Sequence, residues 1–131
     1  MTLVVDASVA VASAFAAGGF DEFGAEPLVA PSLMWSEARS TLRLALWRGR
    51  VSSPDAEAAL DRLEASPIER TEPPGLGRAA WDLAAELGWA RTYDAEYVAL
   101  ARLLGCRLVT LDERLRRGTA RLGIVISPAE L

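Results

Sequence analysis

Leu3-Val4-Val5-Asp6-Ala7-Ser8 is the stretch whose reading decides the fold. A short apolar run with β-branched side chains stops at a carboxylate, a serine follows, and an alanine-rich apolar stretch continues to Ala17. That pattern reads as strand, turn and helix. An apolar residue at every position, rather than at alternate ones, marks a strand buried on both faces, as in a parallel sheet covered by helices. The same grammar recurs outward along the chain. Gly18-Gly19 break the first helix, and Leu28-Val29-Ala30 form a second short buried run closed by Pro31. A long helix is predicted from Ser32, as N-cap, to about Arg48, with Gly49 as its stop. Ser53-Pro54-Asp55 combines a capping serine, a first-turn proline and an early acid, and starts a helix reaching about Ala65. Ile68 to Thr71 reads as a short edge strand ahead of Pro73-Pro74-Gly75. Helical periodicity resumes from Leu76 to Leu87, where Gly88 ends it. Thr92-Tyr93-Asp94 opens another helix, in which Tyr97, Leu100, Ala101 and Leu104 recur three or four residues apart until Gly105. Arg107 to Leu111 is a strand terminating at Asp112, an arginine-rich helix or loop follows, and Ile124-Val125-Ile126 is the last strand. Strands separated by helices predict an α/β fold, a three-layer α/β/α sandwich around a central, mostly parallel sheet. No repeat, low-complexity tract or linker divides residues 1–131, so a single domain is expected.

Composition narrows the chemistry. Of 131 residues, 51% are hydrophobic, enough for one core without staples. Neither a membrane span nor a signal peptide is readable, and a soluble, cytoplasmic protein is expected. Cys106 is the only cysteine, which excludes an intrachain disulfide and a thiolate zinc cage. There is no histidine, so histidine-based triads, ribonuclease mechanisms and metal sites are excluded. There is no lysine either, since all 14 basic residues are arginines. This removes the lysine of a phosphate-binding P-loop, Schiff-base chemistry, and the lysine on which haloacid-dehalogenase-like phosphatases and receiver domains depend. An enzyme built from this chain works with carboxylates. The net charge of −4 argues against a general polyanion binder, so nucleic-acid contact would come from a local arginine patch or from cations between clustered acids.

Four acids stand out by position. Ligand sites of open α/β sheets lie outside the carboxyl ends of the strands. Asp6 and Asp112 both sit there, each the first charged residue after an apolar strand. Glu37 lies in the long helix among Met34, Ala38, Thr41 and Leu44, at the border of its apolar stripe. A lone carboxylate desolvated there costs several kcal/mol and calls for a compensating partner. Asp94 begins its helix on the face of Tyr97, Ala101 and Leu104, and its simpler role is an acid that favours the helix dipole. Carboxylates converging in one cleft repel one another unless a divalent cation binds between them. Oxygen-only ligands favour Mg²⁺ or Mn²⁺. Such ions support phosphodiester hydrolysis by activating a water and polarising the phosphoryl group, with no need of histidine.

Four blocks of the sequence resemble the PIN-domain family, and within it the VapC-type toxins of bacterial toxin–antitoxin pairs. They are Val4-Val5-Asp6-Ala7-Ser8, the Pro31 to Glu37 stretch read as P-x-x-x-W-x-E, Tyr93-Asp94-Ala95-Glu96-Tyr97-Val98-Ala99-Leu100-Ala101, and Leu108-Val109-Thr110-Leu111-Asp112. The resemblance covers nearly the whole chain. It implies a Mg²⁺- or Mn²⁺-dependent endoribonuclease whose catalytic, metal-binding acids are Asp6, Glu37, Asp94 and Asp112. It also implies that Ser8 and Thr110, small hydroxyl residues beside the first and last acids, orient the metal's ligands or a bound water. Their alternative roles are a helix cap and a strand residue. Where many relatives carry an asparagine three residues after the helix glutamate, this chain has Ser40. The resemblance further implies a homodimer neutralised by a cognate antitoxin, a small protein that lays a helix or tail along an exposed hydrophobic groove and blocks the acid cleft. A catalytically silent PIN-like module that binds RNA or protein is the alternative.

Arg114, Arg116, Arg117 and Arg121 cluster just after the last acid. Arg114 and Arg116 are the candidates to hold an RNA phosphate, since a guanidinium can do so bidentately. A solvated surface loop is the competing account of the cluster. Trp35, Trp47, Trp81 and Trp89 are read first as core residues and second as interface residues.

Overall fold

The computed structural model describes residues 1–131. Its first strand, β1 (Leu3–Val5), is buried at all three positions. β1 pairs in parallel with β2 (Leu28–Ala30) on one side and with β4 (Arg107–Val109) on the other. β3 (Ile68–Arg70) adds to β2 and β5 (Val125–Ile126) to β4, so the order is β3-β2-β1-β4-β5. The sheet is parallel throughout. Edge strand β3 buries Ile68 but leaves Glu69 and Arg70 exposed, which discourages pairing with another chain.

The helices follow the predicted order with shifted ends. α1 (Ala7–Phe15) stops two residues before Ala17, and Arg62 Nη1 donates to its Ala14 carbonyl at 2.6 Å. α2 (Leu33–Trp47) begins after Ser32, yet the Ser32 hydroxyl caps nothing. Its backbone is already helical, and its N–H donates instead to Glu72 Oε1 at 3.0 Å. α3 (Ser53–Glu64) is capped by Ser52, whose Oγ accepts from Asp55 N at 3.2 Å, so Ser53 is the first helical residue and not the cap. α4 (Leu76–Leu87) and α5 (Tyr93–Leu104) each end on a glycine of positive φ, Gly88 at 72° and Gly105 at 66°. Only glycine adopts that left-handed geometry without steric cost. α6 (Glu113–Gly118) is the arginine-rich helix after β4.

α1, α2 and α3 pack on one another, α4 packs on α5, and α5 covers β1 and β4. The chain steps from β1 to β2 to β3 in one direction and then returns to the opposite flank of β1. With right-handed crossovers that reversal puts the two helical groups on opposite faces, giving the three-layer α/β/α sandwich. The reversal falls between β1 and β4, and the crevice at their carboxyl ends is where such sheets bind ligands. No helix is long and apolar enough to cross a membrane.

The tryptophans divide. Trp35 is buried, with the Arg70 guanidinium 4.1 Å from its ring centroid. Trp89 is half-buried, while Trp47 is 81% and Trp81 65% exposed, so the core assignment fails for both. Leu44 and Leu104 are also exposed. The buried face of α2 is Met34, Trp35, Ala38 and Leu42 instead, and α5 is buried on nearly every side because it lies between the sheet and α4.

Replacing the fully buried Leu63 by alanine should cost about 2–5 kcal/mol in urea denaturation. Ser52→Ala should cost about 1 kcal/mol through loss of the cap, and Ser53→Ala much less; the reverse order would place the cap one residue later.

Candidate active site

Asp6 ends β1 and caps α1, and that double position fixes its carboxylate. Only 6% of the residue is exposed. Oδ1 accepts from Ser8 Oγ at 2.6 Å and from Val9 N at 3.2 Å, the capping bond that a helix N-terminus offers an acid. Oδ2 accepts from the buried Thr110 hydroxyl. The two hydroxyls also reach across to the end of β4. Leu111 N donates to Ser8 Oγ at 3.1 Å, and Asp112 N donates to Thr110 Oγ1 at 3.0 Å. Ser8 and Thr110 lie 3.5 Å apart, so the pair of hydroxyls bridges Asp6 and the end of β4.

The other three acids line an open cleft of about 690 Å³, whose walls include Trp89, Arg91, Tyr93 and Arg114. Asp112 caps α6, its Oδ1 accepting from Arg114 N at 2.9 Å and Leu115 N at 3.3 Å, while Oδ2 has no protein partner. Asp94, in the first turn of α5, accepts no hydrogen bond from the protein. Glu37 is held from α5, because the Tyr97 hydroxyl donates to its Oε1. Tyr97 is 1% exposed, and from sequence it reads only as a core residue. A tyrosine at a helical contact position gives no sign of where its hydroxyl goes, so this partner of Glu37 was missed.

Electrostatics couple the four acids. Burial is the largest cause that holds Asp6, Glu37 and Asp94 above the ordinary carboxylate range. Asp112 adds to the rise of Asp6 and Asp94, and the charges of Asp94 and Asp6 add to that of Glu37. Ser8, Thr110 and Val9 N pull Asp6 back down, Tyr97 does so for Glu37, and Arg114 for Asp94. Burial and Glu37 push the Tyr97 phenol up, so it stays a proton donor. Burial also raises Glu96, with Glu72 and Glu37 contributing. Even so, no three of these side chains are placed to hold one metal ion between them. The donor set is all oxygen, which fits a hard divalent cation bound by one or two carboxylates and completed by water or phosphate.

The two predicted phosphate contacts part company. Arg114 lines the cleft. Arg116 does not: it pairs with Glu113 at 2.8 Å and with Glu130. Residues two apart on a helix point to opposite sides, so both could not face one cleft. Arg91, in the loop between α4 and α5, lines the cleft in its place and makes no ion pair. A loop has no period from which to read facing, and only nearness to Asp94 could have flagged it.

Known proteins resemble this chain over almost its full length. The model of the PIN domain family matches residues 3–120. VapC ribonuclease Mb0985 of Mycobacterium bovis is 38% identical over 128 residues, covering 96% of this chain and 98% of that protein. Ribonuclease VapC9 of Mycobacterium tuberculosis matches to the same extent. The crystal structure of PAE2754 from Pyrobaculum aerophilum superposes with a TM-score of 0.78 at 28% identity, over 99% of this chain and 91% of that one.

A carboxyl whose folded pKa is raised takes up protons preferentially in the folded state. Its contribution to stability is full below the unfolded pKa, 3.8 for Asp6, and is lost as pH rises toward the folded value. In EDTA at pH 7, Asp6→Asn should therefore melt higher than the wild type, with the gap closing as pH falls toward 3.8. A lower Tm for the variant at pH 7 would mean that the hydroxyl bonds outweigh the burial.

Proposed function

The chain belongs to the PIN-domain family, and on that premise we propose that it is a Mg²⁺- or Mn²⁺-dependent endoribonuclease, the toxin of a toxin–antitoxin pair acting on RNA in the cytoplasm. The observation that carries this reading is the meeting of four mutually coupled carboxylates at the carboxyl edge of the sheet, with three of them on the wall of one cleft. Asp6, Glu37, Asp94 and Asp112 are the residues that would hold the cation, directly or through water. When bound, the ion supplies charge neutralisation between these acids, polarisation of the phosphoryl group and a more acidic water.

The protein's own part is positioning. Ser8, Thr110 and Val9 N aim Asp6 and offset part of the cost of burying its charge. Tyr97 holds Glu37 in one orientation. Hydroxyls and a phenol that direct ligands in this way govern metal affinity as strongly as some ligands do. Arg114 and Arg91 stand where they can hold phosphate oxygens of the RNA backbone beside the acids. The reading includes a cognate antitoxin and a homodimer. The VapC names of the relatives support the first, and the exposed Trp47 and Trp81 offer apolar area for such contacts.

A second reading, a PIN-like module that binds RNA without cutting, is favoured by one observation, that no three acids are placed to hold one ion. Incubating partner-free protein with structured RNA in Mg²⁺, Mn²⁺ or EDTA separates the two. The nuclease cuts only with metal, and Asp6→Asn and Asp94→Asn abolish the cut. Binding without cleavage under every metal condition selects the silent module, and cleavage that survives EDTA rejects the cation mechanism. Arg114→Ala should raise KM for RNA about tenfold, the worth of one hydrogen bond to a charged group. Arg116→Ala should leave KM nearly unchanged.

A further inference from the structure

Tyr93 presents an aromatic ring on the wall of an otherwise charged cleft, and nothing in the fold accounts for it. It is the first residue of α5, directly before Asp94, and is 59% exposed. It makes no side-chain hydrogen bond and stacks on no other ring; the aromatic pair of the structure, Phe20 with Phe23, lies elsewhere. Trp89 lines the same cleft, half-buried, with its indole against Gly118, where a Cβ would stand 3.7 Å from Cζ2. Arg91, between these two aromatics in sequence, and Arg114 on α6 line it too and form no ion pair.

The combination is chemically specific. Acids without a cation repel RNA, and the chain as a whole carries a charge of −4, so the cleft needs attraction from groups other than its carboxylates. The guanidiniums answer the phosphates. The aromatic faces answer a nucleobase, because every base offers a π-face and stacking on a side chain adds affinity that salt does not screen. A base inside a duplex is already stacked between its neighbours and cannot reach such a ring, whereas a base in a loop or single strand can be splayed onto it.

Resting on the ribonuclease reading above, we propose that the ring of Tyr93, with Trp89 in the same wall, stacks a base of the RNA beside the scissile phosphate, so that Tyr93 is the residue through which this cleft contacts the base and not the backbone. Tyr93 is then a determinant of specificity and takes no part in bond cleavage. The ring matters and the hydroxyl does not.

The test is fluorescence anisotropy with wild type, Tyr93→Phe and Tyr93→Ala, in Ca²⁺, on three probes: a short single-stranded RNA of mixed sequence, its duplex, and an abasic strand of the same length. Tyr93→Ala should bind the single strand about tenfold more weakly. Tyr93→Phe should bind like the wild type. The abasic strand should be bound equally weakly by wild type and Tyr93→Ala, and all three proteins should share one Tm because the ring is exposed. Unchanged single-strand binding by Tyr93→Ala overturns the proposal. So does an equal loss on the abasic strand, which would point to a backbone contact. Cleavage assays in Mg²⁺ run in parallel: a wild type that cuts beside a Tyr93→Ala that cuts with unchanged KM leaves the nuclease and removes the stacking platform. A wild type that binds single strands through Tyr93 but never cuts leaves the platform and removes the nuclease.

Discussion

The junction where β1 and β4 end side by side holds everything else at the cleft in place. There the Thr110 and Ser8 hydroxyls each donate to Asp6 while accepting a backbone N–H from the first residues beyond β4. One small network thereby satisfies a buried carboxylate, joins the ends of two parallel strands, and sets the direction in which the chain leaves toward Asp112 and α6. A buried acid without those donors would cost several kcal/mol or take up a proton. With them part of that cost is offset, and the same junction supplies the N-caps of α1 and α6, Asp6 and Asp112.

The acids around this junction are in tension with the fold. Burial raises three of them, and their mutual charges add to the rise. Such a cluster subtracts from stability, and the rest of the molecule compensates through a contiguous apolar core to which all five strands and the larger helices contribute. The same repulsion is what a cation bound among the acids would relieve. Structural weakness and chemical capacity here have one origin, the presence of several carboxylates where solvent is scarce.

Charge is apportioned around the cleft by helix geometry. On α6 the alternate arginines point apart, so Arg114 lines the cleft and Arg116 pairs with Glu113 on the same helix and ties it to Glu130 near the end of the chain. α5 contributes by succession. Tyr93 and Asp94 line the cleft at its first turn, and Tyr97, one turn on, is buried and holds Glu37 from beneath. The Gly88 to Arg91 loop completes the wall, and it exists because Gly88 ends α4 in a left-handed conformation.

What was legible in the sequence is what local pattern encodes. Runs such as Leu3-Val4-Val5 and Leu28-Val29-Ala30 announced buried parallel strands, glycines announced helix ends, and the first acids after β1 and after β4 announced the carboxyl edge, although β4 stops at Val109, two residues short of the expected Leu111. The absence of histidine and lysine limited the chemistry before any contact was known. Tertiary structure decided what depends on who faces whom. Ser32 caps nothing because its own backbone is already helical and the N–H groups of Met34 and Trp35 go to the Pro31 and Ser32 carbonyls, while Glu72, forty residues away, takes the Ser32 N–H. Trp47 and Trp81 lie outside because α2 and α4 turn other faces inward, and Arg116 found Glu130. Tyr97 met Glu37 only because the fold brings side chains of α5 and α2, sixty residues apart, within hydrogen-bond reach. The reason is physical: strand and helix signals arise from neighbours along the chain, whereas the partner of a hydroxyl, an indole or a guanidinium is set by the packing of segments that the sequence separates widely.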